Sequence, residues 1–273
     1  MNILVTLDRN YLPPLKVMLH SLFLNNPGEH FQIYMAADGL TDQDQEELAA
    51  RCAHFGSTLH PIPVQDEWFA SAPTLRYYSR AMYYRLLAAQ MLPPDLERVL
   101  YLDPDILVIG QVRPLYETQL GDKLYAAAMH RGLANVSGRV NKLRLPNNEA
   151  DSYFNSGVLL MNLPKIRTDV RPEDIFQYVE RYHAALILPD QDILNGLYAK
   201  RILPLDESYW NYDARKFETY RLSSQGEKNM DWVVRHTVFL HFCGKNKPWN
   251  STYHGRFSAL YKHYQYLAEK FTG

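Results

Sequence analysis

The sequence lacks most features that mark secreted, membrane-spanning or nucleic-acid-binding proteins. Its two cysteines, Cys52 and Cys243, are far apart and have neither metal-ligand nor redox spacing, which indicates a reducing compartment. No apolar run approaches the roughly 18 residues of a membrane span, and the apolar stretch at residues 3–7 is too short for a signal peptide. A formal net charge of −1 creates no field that would attract nucleic acid. We therefore expect a cytoplasmic protein that binds no nucleic acid.

Several nucleotide-binding and hydrolase motifs are also absent. The chain contains no G-x-G-x-x-G fingerprint, no G-x-x-x-x-G-K-[ST] phosphate loop and no G-x-S-x-G nucleophile elbow. What is present is enough apolar content for a core, at 47%, and 20 tyrosines, which suit surfaces where sugars or bases stack. The composition predicts one large globular domain, with or without a small extension.

Two aspartates separated by one residue form the most informative motif. Asp103 and Asp105 flank Pro104 directly after the apolar run at residues 98–102, which predicts a buried strand. Residues i and i+2 of an extended segment point the same way, so both carboxylates project together from the strand's end. Two such charges are costly unless a cation lies between them, and oxygen ligands suit Mg²⁺ or Mn²⁺. By itself the motif fits either a metal site or a solvated strand exit.

Apolar periodicity predicts alternating strands and helices, most clearly in the first half of the chain. Strands are predicted over residues 3–7, 31–36, 59–64, 98–102, 124–129, 158–162 and 238–242. Helices are predicted over residues 15–24, 42–55, 79–91, 172–183 and 190–199, with Thr41 as an N-cap. This order predicts an α/β fold with a Rossmann-like, mostly parallel sheet flanked by helices, whose ligands bind at the carboxyl ends of the strands. Asp8 and Asp103 lie at such ends.

The C-terminal segment has a basic and aromatic amphipathic pattern. It predicts a helix over residues 253–271, and we divide the chain into a domain of residues 1–250 and a C-terminal helix of residues 251–273. One face of this helix carries Phe257, Leu260, Tyr261, Tyr264 and Leu267. Amphipathicity alone does not distinguish packing on the core from docking on a partner or at the inner face of a membrane.

Six motif blocks, in order, resemble the retaining glycosyltransferases of family 8, which include bacterial lipopolysaccharide galactosyl- and glucosyltransferases and glycogenin. The blocks lie at residues 5–11, 83–86, 99–107, 153–162, 190–195 and 241–249, the last reading HFCGKNKPW. They span residues 1 to about 250. The resemblance implies the GT-A architecture, a UDP-sugar donor and a divalent cation, usually Mn²⁺, with Mg²⁺ as the alternative.

The resemblance also implies roles for individual residues. The implied metal ligands are Asp103, Asp105 and His241. The implied donor-binding residues are Thr6, Asp8, Asn10, Tyr11, Arg85, Asp103, Asn155, Gly244 and Lys247. Asp8 would accept from the uracil N3–H, Tyr11 would offer a stacking face, and Lys247 would place its ammonium on phosphate.

Asp190 and Gln191 match the catalytic positions, and the residues leave two mechanisms open. Asp190 could attack the anomeric carbon in a double displacement. We favour front-face attack, in which the leaving phosphate takes the acceptor's proton and Gln191 stabilises the cationic transition state. His130 stands where the family's galactosyltransferases are expected to carry an acidic residue, and its neighbourhood would belong to the acceptor or hexose pocket. Residues 130–150 and 206–230 are rich in Arg, Asn, Ser and Tyr and poor in periodicity, as expected of loops that shape an acceptor pocket.

The expected activity is transfer of a hexose, glucose or galactose, from a UDP-sugar to a glycan or glycolipid acceptor. Two alternatives stay open: a glycogenin-like enzyme that glycosylates itself or another protein, and a catalytically silent nucleotide-sugar binding protein. The sequence does not specify the oligomeric state.

Overall fold

The computed structural model describes residues 1–63, 81–129 and 153–271. The strands within these ranges are β1 (Asn2–Asp8), β2 (Gln32–Asp38), β3 (Thr58–Ile62), β4 (Arg98–Leu102), β5 (Ile106–Val108), β6 (Tyr125–Met129), β7 (Phe154–Asn162), β8 (Ile202–Asp206), β9 (Tyr212–Asp213) and β10 (Phe239–His241). The helices are α1 (Leu12–Leu24), α2 (Asp42–His54), α3 (Ala81–Leu86), α4 (Ala88–Met91), α5 (Arg113–Tyr116), α6 (Leu163–Asp169), α7 (Pro172–Tyr182), α8 (Pro189–Tyr198), α9 (Glu207–Trp210), α10 (Phe217–Ser223), α11 (Met230–His236) and α12 (Ser258–Glu269).

A seven-stranded sheet in the order β3-β2-β1-β4-β7-β6-β8 forms the centre of the described chain. Neighbouring strands are parallel except at β7, which runs antiparallel to both β4 and β6. The two faces of the sheet belong to different apolar clusters, so β4 contributes Val99 and Tyr101 to one and Leu100 and Leu102 to the other. The predicted α/β class with a mostly parallel sheet is confirmed.

The reversal at β7 determines which residues meet at the carboxyl edge of this sheet. β1 and β4 end at that edge, whereas β7 begins there because it runs in the opposite direction, with Leu102 paired to Val158. Residues 154–157 therefore lie beside Asp103, although about fifty residues separate them in the chain.

A second sheet of three short strands, in the order β5-β10-β9, lies next to this edge. β5 begins directly after Asp105 and pairs antiparallel with β10, which places His241 opposite Ile106. On its other side β10 is parallel to β9, and His241 lies opposite Asp213. This small sheet brings His241 to the acidic pair.

The strands β5, β8 and β9 lie outside the predicted set. β8 contains Pro204, which argues against a central strand, but β8 is the edge strand of the large sheet, where a missing N–H is tolerated. β5 and β9 have only three and two residues, too few to show an alternating pattern. The expectation of loops over residues 206–230 is wrong, because α9, β9 and α10 lie there.

Most predicted helices are present, with altered boundaries. Thr41 caps α2 as predicted, since its hydroxyl accepts the Asp44 N–H while the Asp44 carboxylate accepts the Thr41 N–H. The single helix expected over residues 79–91 is divided, because Leu87, with φ −102° and ψ 13°, leaves the helical conformation between α3 and α4. Residues 79 and 80 lie outside the described residues.

The C-terminal helix α12 begins at Ser258, five residues later than predicted, and packs against α1. Phe257 and Tyr261 are buried in a third apolar cluster together with Leu240 and Phe242 of the β10 region. Within the described ranges, the helices are too short or too polar to cross a bilayer. The division of the chain at residue 250 stays a prediction.

Candidate active site

The two aspartates of the motif are anchored to different sheets. The Asp103 N–H donates to the carbonyl of Gly157 on β7, at 2.9 Å. The carbonyl of Asp105 accepts the N–H of Phe242, which follows β10, at 3.1 Å. Pro104 between them is buried. The pentapeptide therefore bridges the large and the small sheet. A backbone hydrogen bond fixes the main chain at each of the two aspartates.

The side chains of Asp103, Asp105 and His241 converge into one buried cluster. Their ligand atoms all lie within 4.8 Å of one another. His241 Nε2 is 3.1 Å from Asp105 Oδ1 and 3.7 Å from Asp103 Oδ2. The three residues that the sequence predicted as metal ligands are thus brought together. Two carboxylates and an imidazole form a donor set that fits Mn²⁺ or Mg²⁺ and leaves coordination positions for other oxygens.

Arg85 of α3 lies on one side of this cluster, which we call the Arg85 side. Its guanidinium pairs with Asp103 Oδ1 at 3.0 Å and with Asp190 Oδ2 at 2.8 Å. Asp103 Oδ1 also accepts the hydroxyl of Tyr101, whose ring lies under the guanidinium. Burial and the charge of Asp105 nevertheless outweigh Arg85, so the pKa of Asp103 is raised above its ordinary value of 3.8.

Lys247 lies on the opposite side, which we call the Lys247 side. Its ammonium donates to Asp105 Oδ2 and, at 3.0 Å, to the carbonyl of Phe242. Burial raises the pKa of Asp105, but His241 and Lys247 outweigh it, so the net shift is downward. Burial likewise opposes charge on His241, yet Cys243 and Asp105 hold its pKa well above the ordinary value. The two aspartates therefore have pKa values shifted in opposite directions.

Gly157 forms the floor between the two sides. A Cβ at this position would lie 2.4 Å from His241 Cε1 and 2.7 Å from Asp103 Oδ2, closer than real Cβ contacts allow. Only glycine lets the imidazole and the carboxylate approach β7 this closely.

The cluster opens into a cleft of about 480 Å³. Its walls contain most of the residues predicted from the sequence, namely Arg85, Asp103, Asp105, Asn155, Asp190, Gln191, His241 and Gly244. Asp190 is held by the Ser156 hydroxyl at 2.7 Å as well as by Arg85. Gln191, in the first turn of α8, is only 6% exposed.

The residues at the end of β1 lie outside the walls of this cleft. Thr6 is buried and contacts the Tyr101 hydroxyl at 3.2 Å, so it supports the Arg85 side from behind. Asp8 accepts the Asn10 N–H at 2.8 Å and forms a turn. Tyr11 packs edge-on against Trp249, close to Lys247. The donor-binding roles of these residues stay predictions, and His130 lies outside the described residues.

Several cleft residues were missed by sequence reasoning. Asp213, Arg215 and Lys216 line the cleft, with Arg215 bound to the Asp213 carboxylate at 2.7 and 2.9 Å. They come from the segment predicted as irregular loops, and no spacing signals them. Ser156 lies within a matched motif block, and its position two residues from Phe154 on an apolar strand offered the only signal.

Asp192 has a supporting position beneath the cleft. It is fully buried, accepts the Tyr153 hydroxyl at 2.6 Å, and accepts the backbone N–H groups of Ile187 and Leu188 at 2.7 and 3.0 Å. It therefore fixes the chain that leads into α8, where Asp190 and Gln191 lie.

Comparison with known proteins defines the class. Residues 2–253 match the family model for glycosyl transferase family 8. The chain therefore belongs to glycosyltransferase family 8, and its sheet and flanking helices form a GT-A fold.

Individual relatives agree with this assignment. The chain is 28% identical over 251 residues to lipopolysaccharide 1,2-glucosyltransferase of Escherichia coli K12, covering 92% of this chain and 73% of that protein. It is 24% identical to lipopolysaccharide 1,3-galactosyltransferase of Salmonella typhimurium, over 92% of this chain and 73% of the relative. The crystal structure of galactosyltransferase LgtC, solved with donor and acceptor sugar analogues, is similar with a TM-score of 0.81 and 27% identity, covering 100% of this chain and 97% of LgtC.

Proposed function

We propose that this protein transfers glucose or galactose from a UDP-sugar to a carbohydrate or glycolipid acceptor, with retention of the anomeric configuration and with Mn²⁺ or Mg²⁺ as cofactor. The observation that carries the proposal is the buried cluster of Asp103, Asp105 and His241, flanked by Arg85 and Lys247, in a chain of family 8. A bound divalent cation would stabilise the negative charge that develops on the leaving diphosphate.

The residues around the cluster would bind the diphosphate and the hexose and would position the cation ligands. Lys247 would bind diphosphate oxygens once it turns from Asp105, and Arg215 is a second cation in the cleft wall, next to Gly244. Arg85 links Asp103 to Asp190 and so ties the cation ligand to the start of α8. Hexose hydroxyls would face Asn155 and Asp190, both in the cleft wall.

The contacts of Asp190 support front-face attack over double displacement. One oxygen of Asp190 already accepts from Ser156 and from Arg85, which stabilises the carboxylate and lowers its nucleophilicity. Gln191 lies beside it in the cleft wall, where its amide oxygen would stabilise a cationic transition state. The leaving phosphate would then take the acceptor's proton.

The acceptor proposal draws on the relatives, two of which are lipopolysaccharide glycosyltransferases. We infer a surface-glycan acceptor that is extended on the cytoplasmic side. The exposed Leu188 and the partly exposed Lys216 lie at the cleft wall where such an acceptor would enter.

Thermal unfolding with UDP tests the nucleotide and cation sites together. UDP should raise the Tm of wild type only when Mn²⁺ is present, because a ligand that binds the native state stabilises it by mass action. Asp105→Asn should remove most of this coupling, since it neutralises one anionic ligand. Asp122→Asn, at an exposed position outside the cleft, is the matched control. An unchanged Mn²⁺-dependent shift in Asp105→Asn would contradict the proposed site.

Product analysis tests the reaction. NMR of the product formed from an α-linked UDP-hexose should show an α linkage. Gln191→Ala should lower kcat more than it weakens donor binding, because the interaction is made mainly in the transition state. A β-linked product would exclude retention, and a mass increase of the protein itself would favour the glycogenin-like alternative.

A further inference from the structure

Asn211, between α9 and β9, contacts the side of His241 that faces away from the cluster. It is 3% exposed, and its Oδ1 lies 2.7 Å from His241 Nδ1. Its Nδ2 lies 2.5 Å from Asn155 Oδ1, which also accepts the Gly157 N–H at 2.7 Å. A continuous chain of hydrogen bonds thus runs from a backbone amide of β7 to the imidazole.

The direction of every bond in this chain follows from its first member. The Gly157 N–H can only donate, so the Asn155 atom that faces it must be the carbonyl oxygen. That oxygen can only accept, so the Asn211 atom that faces it must be the NH₂ group. The other Asn211 atom is then the oxygen, and His241 must donate to it from a protonated Nδ1.

We propose that Asn211 is a positioning residue, which accepts the Nδ1–H of His241 and so leaves Nε2 as the ring nitrogen that faces Asp103 and Asp105 and would bind the cation. The inference rests on the cation site of the proposed function. The carbonyl of Gly157 accepts the Asp103 N–H, so the same residue of β7 orients both Asp103 and, through Asn155 and Asn211, His241. Partners of this kind on the second ring nitrogen set the orientation and basicity of a metal-binding histidine.

The tautomer of His241 can be measured in wild type, without any substitution in the chain of hydrogen bonds that leads to it. Long-range ¹H–¹⁵N correlation spectra of the Mg²⁺-loaded, nucleotide-free protein should show a protonated Nδ1 and an unprotonated Nε2 for His241. The His241 signals are identified by their loss in His241→Gln. An Nε2–H tautomer would overturn the inference.

The affinity for Mn²⁺, measured by electron paramagnetic resonance without nucleotide, tests the role of the side chain. Asn211→Leu keeps the approximate shape but removes the acceptor, and should weaken Mn²⁺ binding by about 10- to 100-fold. Asn211→Asp keeps an oxygen for the Nδ1–H but loses the NH₂ group that donates to Asn155, and it should bind Mn²⁺ more tightly than Asn211→Leu. Asn26→Leu is the matched control, because Asn26 is a buried amide that binds the backbone of Leu22 and Val112 outside the cleft.

The outcomes separate this inference from the proposed function. If wild type binds neither Mn²⁺ nor Mg²⁺, the cation site fails and the inference fails with it. If wild type binds Mn²⁺ while Asn211→Leu binds it equally well, only the role of Asn211 is overturned. Equal losses in the Leu and Asp variants would show that an acceptor for the Nδ1–H of His241 is not what the cation site needs, which also overturns the inference, whereas a larger loss in Asn211→Leu supports it.

Discussion

The Arg85 side and the Lys247 side of the cluster each set a basic side chain against one aspartate of the same pentapeptide, yet the two aspartates differ. On the Arg85 side, Asp103 is attached to the large sheet and its pKa is raised, because burial and the neighbouring Asp105 outweigh the guanidinium. On the Lys247 side, Asp105 is attached to the small sheet and its pKa is lowered, since His241 and Lys247 outweigh burial.

The difference follows from how many cations share each carboxylate. Arg85 divides its charge between Asp103 and Asp190, whereas Asp105 faces both Lys247 and His241. A divalent cation between the two aspartates would relieve the repulsion that raises the pKa of Asp103. The surroundings of Asp105 keep it charged without a ligand. Asp103, whose pKa is raised, would be stabilised more by a bound cation.

Gly157→Ala should have the largest effect on ligand binding, because the added methyl group collides with both His241 and Asp103. We expect a loss of about 1–3 kcal/mol in the free energy of unfolding from overpacking, and loss of Mn²⁺-dependent stabilisation by UDP. Thermal unfolding with and without Mn²⁺ and UDP measures both. Gly121→Ala, where an added Cβ meets no atom within 4 Å but φ is +56°, controls for the backbone cost of replacing a glycine without a steric clash. If Gly157→Ala keeps the full Mn²⁺-dependent rise in Tm with UDP, the site does not need His241 and Asp103 to lie this close to residue 157.

Arg85→Met and Lys247→Met should differ in how their cost depends on pH. In the metal-free protein, Arg85→Met should cost up to about 3 kcal/mol near pH 7, because it leaves two partly buried carboxylates without a cation. Lys247→Met should cost less, because His241 still faces Asp105. The raised pKa of Asp103 means that it takes up a proton as the pH falls towards 3.8 from above, so the cost of Arg85→Met should shrink there. Asp105 stays charged as the pH falls towards 3.8, because its folded-state pKa lies below 3.8. Its stabilising contribution is lost only at still lower pH, so the cost of Lys247→Met should change less in this range.

Urea unfolding at a series of pH values between about 4 and 7 checks this contrast. If the loss in free energy of unfolding depends on pH in the same way for Arg85→Met and Lys247→Met, the proposed difference between the two sides is wrong. Arg113→Met, which removes a half-exposed surface arginine, is the control and should show only a small cost at every pH.

The smallest effect concerns thiol reactivity, which should report ligand binding on the Lys247 side. Cys243 lines the cleft two residues after His241, whereas burial raises the pKa of the Cys52 thiol to about 12. A thiol reagent at pH 8 should therefore modify one cysteine per native molecule, and Mn²⁺ with UDP should slow that reaction. Mass spectrometry of the modified peptide identifies the site. Labelling of Cys52, or a rate unaffected by Mn²⁺ and UDP, would contradict this assignment.

The pattern of the first half of the chain was readable because its strands and helices are long and regular. The runs that became β1, β2 and β4 are continuous apolar segments, and the Thr41 cap marks the start of α2. β5 and β9 are too short to show such a pattern. β8 was not predicted because it contains Pro204, which an edge strand tolerates. Asp213 is the last residue of β9, and Arg215 and Lys216 follow it; these cleft residues were missed together with that strand.

The sequence by itself determined the α/β class, the acidic pair at the end of a buried strand and, through its motif blocks, many of the residues that line the cleft. Only the tertiary structure decided that Asp103 and Asp105 belong to different sheets, that Gly157 must lack a side chain, and that Asn211 faces His241. The physical reason is distance along the chain. Strand periodicity and capping are set by neighbouring residues, whereas the pKa of a buried carboxylate and the tautomer of a histidine depend on groups that only strand pairing brings into contact.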